Sequence, residues 1–153
     1  VTAANASTIN DGAAVCIVMS DKRAKELGLS PIAEIVDYSS YSDSPEWFTT
    51  APVFSIKRLL EKTKMNISDI NLFEVNEAFS VVTLAAIKNL NLNPDNVNIY
   101  GGSVAMGHPI GASGARIICT LLNSLTNEDK SQGIGSICIG GGEALSILLR
   151  RIV

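Results

Sequence analysis

An α/β fold, with a mixed sheet of about five strands and helices on its faces, is what the 153 residues predict, and three observations predict it. Apolar residues make up 46% of the chain and aromatics only 5%, so the interior is built from Ala, Val, Ile, Leu and Gly. Short apolar runs rich in β-branched residues alternate with segments of helical spacing, the pattern of helices layered on a sheet. Clusters of Gly, Pro, Ser and Thr punctuate the runs. The length suits one domain over residues 1–153, enough chain for a real core.

The elements follow in order. "AAVCIVMS" (13–20) is a continuous apolar run and predicts a buried strand. "DKRAKELG" predicts a short helix, with Asp21 in its first turn and Gly28 as its stop. "PIAEIVDYS" (31–39) alternates as a second strand, and residues 39–52 form a loop rich in Ser, Thr and Pro. Val53, Ile56, Leu59 and Leu60 then mark a helix over 53–65. "DINLFEVN" (69–76) predicts a strand that runs straight into an apolar helix over 77–90. "VNIYGG" (97–102) is a short strand or extended segment, 101–116 a glycine-rich loop, and 113–126 a helix. "GIGSICIG" (133–140) and "EALSILLRRIV" (143–153) close the chain as two strands, with Gly141 and Gly142 set for a tight hairpin.

Composition excludes several function classes. Twelve basic against fifteen acidic residues, a formal charge of −3, supply no basic face for nucleic acid. No apolar run reaches the roughly 18 residues that span a bilayer, so no membrane partner is expected. Cys16, Cys119 and Cys138 show no CxxC spacing, which argues against a disulfide framework or zinc site and fits a reducing, intracellular compartment, mitochondrial or cytoplasmic. One histidine rules out a histidine-rich metal centre. "GIGSIC" breaks the GxGxxG dinucleotide pattern, and its neighbouring glycines join strand to strand instead of strand to helix.

Three residues able to do chemistry stand at strand ends: Asn76, His108 and Cys138. Parallel neighbouring strands would gather them on one edge of the sheet. Each also has a plain structural use. Asn76 could cap the following helix, Cys138 could be an inert core residue, and His108 could be a polar turn residue. Glycines at 101, 102, 107, 111 and 114 let backbone approach a ligand closely. Pro109 presses His108 towards an extended conformation, and the helix beginning near Ser113 favours negative charge at its start. The loop is a rigid mount for one imidazole.

"VNEAFS", "GGSVAMGHPIGASGAR" and "CIGGGEA", in this order and spacing, resemble the C-terminal half of thiolases, and "VTAANASTINDGAA" resembles the lead into that half. Thiolases join two acyl-CoA molecules into a 3-ketoacyl-CoA or cleave one with CoA. The resemblance implies that His108 is the catalytic histidine, Cys138 the acid/base cysteine and Asn76 the asparagine that holds a catalytic water. It implies that the Gly140 N–H lines an oxyanion hole, and that Ala78, Phe79 and Gly107 lie along the substrate. The acylated nucleophile would be a second cysteine in the N-terminal half, which none of the three cysteines here matches. The chain, opening on Val1 instead of Met, is therefore expected to be a piece of a longer protein, inactive alone.

Within the family, Asn76 in "NEAF" and the opening "VTAANAST" read most like the mitochondrial-type acetoacetyl-CoA branch. That branch implies acetyl-CoA, acetoacetyl-CoA and CoA as reactants and no required cofactor. It also implies potassium held by backbone carbonyls of Ala3, Ala4, Ala6 and Val104. Expected partners are the N-terminal half and further copies, as a dimer or tetramer. Glu143 departs from the Gly, Gln or Met common at its position, and a carboxylate near Cys138 is expected to raise that thiol's pKa. The competing readings are a longer-chain 3-ketoacyl-CoA thiolase and a non-catalytic acyl-CoA-binding or assembly module.

Overall fold

The computed structural model describes residues 1–152. Four strands form one mixed sheet in the order β1-β4-β3-β2: β1 Ala33–Ser42, β2 Leu72–Val75, β3 Gln132–Cys138 and β4 Glu143–Arg151. β1 and β3 flank β4 antiparallel, while β2 and β3 are parallel, with Val75 beside Ser136. Parallel pairing needs a long crossover. Here it runs through α3 (Ser80–Leu90), α4 (Ser103–Met106) and α5 (Ser113–Asn127). α1 (Asp21–Glu26) and α2 (Ala51–Thr63) precede it.

The two faces of the sheet read off the alternation of its strands. Phe73 and Val75 of β2, Ile134 and Cys138 of β3 and Leu148 of β4 pack with α2 and α3. Leu72 and Leu149 pack instead on Leu121 and Leu125 of α5. α5 lies close because Gly133 has no side chain: a Cβ there would stand 2.6 Å from Leu121. Burying leucines such as Leu121 and Leu125 contributes about 1.5–3 kcal/mol each. α2 presents Val53, Ile56, Leu59 and Leu60 at helical spacing and ends where Lys64 turns left-handed. Beneath α2, Ser55 Oγ donates to Ser146 Oγ (2.7 Å), which lies 2.8 Å from Ser136 Oγ, so the buried hydroxyls satisfy one another.

Two strand expectations fail, which leaves four strands where about five were expected. Residues 13–20 form no strand; Val15 and Ile17 are 82% and 84% exposed. Their apolar pattern suits a strand, but no sheet edge among the described residues offers them hydrogen bonds. Residues 97–102 reach β2 through a single bridge, Phe73 with Val97. Asn98 then turns left-handed (φ 50°) and its amide replaces the ladder. Its Oδ1 accepts from the Val75 N–H (2.8 Å) and its Nδ2 donates to the Val75 carbonyl (2.9 Å). The helices form as expected within a few residues, and α4 is an addition. The closing hairpin forms, with Gly142 at φ 103°, though β4 stops at Arg151; Val153, the end of the expected strand, lies outside the described residues.

Candidate active site

β2 delivers Asn76 to the site. Its backbone N–H donates to the Ser136 carbonyl (2.9 Å), extending the parallel pairing by one residue, and it is 1% exposed. The N-cap of α3 is Phe79, three residues on, so the Asn76 amide is not a helix cap. Between them, Glu77 braces the facing loop: Oε2 accepts from the Val104 N–H (3.2 Å) and Oε1 from Asn98 Nδ2 (3.0 Å). Its carboxylate fills the space a Cβ at Gly102 would need.

The loop after α4 delivers His108. Gly107 takes φ 95° with the Asn10 side chain packed where a Cβ would stand, so both space and backbone require glycine there. The His108 N–H donates to the Thr8 carbonyl (2.9 Å), and Ile9 bridges the same residue. The same N-terminal segment reaches the Asn76 side, where the Ala78 carbonyl accepts from the Ser7 N–H and Oγ, and Ala6 bridges Phe79. One strap thus holds both loops. Phe79 also packs edge-on against Phe48.

The imidazole lies between two partners. His108 Nδ1 is 2.6 Å from Ser113 Oγ, and Nε2 is 3.3 Å from Asn76 Nδ2. Ser113 donates its one proton to the Pro109 carbonyl (3.1 Å), so its oxygen accepts from Nδ1–H. This assignment leaves the Nε2 lone pair facing the Asn76 amide. Burial first, then the positive charge of Arg116, hold the imidazole below its ordinary pKa, so it is neutral at pH 7.

Behind Asn76 lies a buried polar cluster. Asn76 Oδ1 accepts from Ser103 Oγ (2.7 Å) and from Arg116 Nη2 (3.2 Å), which also donates to Ser103 Oγ (3.0 Å). Arg116 Nη1 lies 3.7 Å from Glu74 Oε2. Burial outweighs attraction for both partners: the Glu74 carboxyl is pushed up to about 7, with Glu77 adding to the rise, and the Arg116 guanidinium is lowered.

Cys138 closes β3 at the edge where β2 presents Asn76, without joining the His108 network. It is buried, and burial pushes its thiol up to about 11. Glu143 is not a cause of that rise; its carboxylate packs by Gly141. The hairpin is held by Ile139 N–H to the Glu143 carbonyl and Gly142 N–H to the Ile139 carbonyl. The Gly140 N–H has no partner among the described residues and is free to donate.

Topology therefore gathers Asn76, His108 and Cys138 at one end of the sheet, with the first two in contact. Glu74, Ser103, Ser113 and Arg116 were not foreseen as parts of the site. Signals existed for two of them: Glu74 is an acid inside the apolar strand "LFEV", which needs a partner if buried, and Arg116 stands in the first turn of a helix, where the dipole disfavours a cation; Ser103 and Ser113 carried none.

A family model described as "Thiolase, C-terminal domain" matches residues 29–151. An acetyl-CoA acetyltransferase of Schizosaccharomyces pombe is 49% identical over 152 residues, covering 99% of this chain and 38% of the relative. The crystal structure of an acetyl-CoA acetyltransferase from Bacillus anthracis superposes with a TM-score of 0.96 at 42% identity. A thiolase from Ascaris suum, solved in complex with coenzyme A, superposes with a TM-score of 0.89 at 45% identity. Each structural match takes in 99% of this chain and 39% of the other. The chain spans well under half the length of the relatives it matches.

Proposed function

The chain belongs to the thiolase family, as its C-terminal domain, and from that premise we propose that it supplies the acid/base half of an acetyl-CoA C-acetyltransferase. The reaction joins two acetyl-CoA into acetoacetyl-CoA and CoA, and its reverse is thiolysis. The observation that carries the reading is the His108 imidazole held between Ser113 Oγ, 2.6 Å from Nδ1, and Asn76 Nδ2, 3.3 Å from Nε2, an arrangement that leaves the Nε2 lone pair as the base.

In thiolysis, a cysteine thiol from the remainder of the protein gives its proton to Nε2 and attacks the 3-keto carbon of acetoacetyl-CoA. The developing oxyanion takes hydrogen bonds from backbone N–H groups, Gly140 among them; a single such donor is worth roughly 2.7–4 kcal/mol. The C2–C3 bond breaks, and the departing acetyl-CoA enolate, held by protonated His108 and a water on Asn76, receives a proton from the Cys138 thiol. CoA then gives its thiol proton to the Cys138 thiolate and attacks the acetyl-enzyme; the nucleophilic cysteine leaves, takes its proton back from His108, and the second acetyl-CoA departs. A thiol with a pKa of about 11 is ready to donate at pH 7. Serving as base in condensation costs it about 5 kcal/mol there, so thiolysis is the direction to assay first.

Ala78, Phe79 and Gly107 flank Asn76 and His108 and would line the substrate. The carbonyls of Ala3, Ala4, Ala6 and Val104 accept no backbone hydrogen bond among the described residues, and neutral carbonyl oxygens suit potassium. Potassium bound there would brace the N-terminal strap. The exposed Val15, Ile17 and Val18 support a further part of the protein as the partner that covers them. The whole enzyme, a dimer or tetramer, would work within the cell.

The test is the thiolysis rate of the full-length protein and of its His108→Ala variant, with folding checked by circular dichroism. Loss of a general acid/base predicts a fall of about 10²–10⁴-fold. An unchanged rate removes His108 from the chemistry, and an inactive wild type removes the thiolase reading in favour of a binding module. The chain alone, lacking the nucleophile, is expected to be inactive.

A further inference from the structure

We propose, resting on the thiolase reading, that Arg116 is a positioning residue: as a donor-only group it fixes which way round the Asn76 amide sits, and so which nitrogen of His108 carries the lone pair.

Arg116 stands where a cation is costly to the fold. Its side chain is 16% exposed and that of Glu74 2%, and it stands in the first turn of α5, where the helix dipole disfavours a cation. Its Nε and Nη1 are buried without a hydrogen-bond partner, Nη1 having only the Glu74 carboxylate at ion-pair distance. Buried donors left unpaired cost stability, and a buried ion pair is weak evidence for it. A well-packed apolar pair in place of Arg116 and Glu74 would serve the fold as well or better.

Beyond the ion pair with Glu74, its side-chain hydrogen bonds all concern Asn76. Nη2 donates to Asn76 Oδ1 and to Ser103 Oγ, which in turn donates to the same Oδ1. A carboxamide can turn by half a revolution and exchange its oxygen and nitrogen with little change of shape. The Ser103 hydroxyl does not decide between the two, because it can donate to an oxygen or accept from an NH₂. A guanidinium can only donate. Arg116 therefore requires Oδ1 on its own side, Nδ2 falls towards His108, and Nδ2 needs an acceptor at Nε2. On the far side the Nδ1 proton goes to Ser113 and onward to the Pro109 carbonyl. A turned amide would set Oδ1 against Nε2 and call for a proton where the base needs a lone pair. The charged groups gathered about this line are Arg116 on α5, Glu74 on β2 and Glu77 in the turn that follows β2.

The test uses the full-length protein and four variants: Arg116→Met, Arg116→Gln, Arg116→Lys, and the double variant Glu74→Gln/Arg116→Met, which removes the orphaned carboxyl if the single variant folds poorly. Thiolysis gives kcat and KM. Nitrogen-15 NMR of labelled histidine reports the His108 tautomer, its signal identified by its absence in His108→Gln. We expect Arg116→Met and Arg116→Gln to lower kcat by about 10–100-fold, as loss of a group that orients a catalytic one commonly does, with KM within about threefold. Both should move the proton of the neutral ring towards Nε2. Arg116→Lys, still donor-only, should keep the Nδ1–H tautomer and recover most of the rate. An unmoved tautomer in Arg116→Met and in the double variant would overturn the proposal, as would Arg116→Gln matching Arg116→Lys. The tautomer is read without turnover, so a protein with no thiolase activity would sink the functional reading and still decide this one.

Discussion

Ser113→Ala removes a single oxygen from the site and leaves the rest of its frame standing. The hydroxyl lies 2.6 Å from His108 Nδ1, and Ser113 is 0% exposed, so water does not replace it. Alanine is the better helix former at the start of α5, which limits the change to the lost contact. The Nδ1 proton loses its acceptor, a penalty of about 1–3 kcal/mol for an unpaired buried donor. The neutral ring escapes that penalty by moving its proton to Nε2, which abolishes the base. Base-competent enzyme should fall by roughly 5- to 150-fold, since a factor of ten corresponds to about 1.4 kcal/mol, and kcat for thiolysis by the full-length protein should fall with it while KM barely moves. A kcat within twofold of wild type would refute the reasoning, because it would mean that the hydroxyl does not hold the ring. A loss as complete as that of His108→Ala would refute it differently, by giving Ser113 a chemical role of its own.

Other expectations follow from the same geometry. Glu74 is shifted from 4.5 to about 7 by burial, so between those values the folded state keeps a proton that the unfolded state has released. Stability should therefore be fully present below about pH 4.5 and fall as pH rises through 7, by at most about 3 kcal/mol; denaturant midpoints across this range should flatten in Glu74→Gln. Gly142→Ala forces a side chain to φ 103° and against the Asp43 carbonyl, backbone that cannot move aside; it should destabilise the hairpin by more than about 2 kcal/mol, read as a lowered unfolding midpoint. In the 153-residue chain, a thiol reagent at mildly alkaline pH should modify exposed Cys16 and Cys119 well before buried Cys138, whose thiol stays protonated up to about pH 11. Equal rates at all three would contradict the burial of Cys138.

Local pattern determined a good deal of this protein. The spacing of Val53, Ile56, Leu59 and Leu60 sufficed for α2, and the paired glycines at 141 and 142 for the hairpin, because helix period and turn chemistry are properties of a few consecutive residues. The histidine loop was equally legible, since five glycines and a proline around one imidazole constrain backbone before any packing occurs. Partnership is what only the tertiary structure decided. Residues 13–20 have the composition of a strand and are none here, because a strand exists only where another edge accepts its hydrogen bonds. Asn76 had every qualification for a helix cap, and it became the partner of His108 because the parallel register of β2 and β3 carried it one residue past the sheet. Arg116 lies 40 residues from Asn76 and 42 from Glu74, and Ser113 lies 5 from His108, yet each pair is within 4 Å in space. Sequence records which side chains can donate, accept or carry charge, and folding alone decides which of them meet.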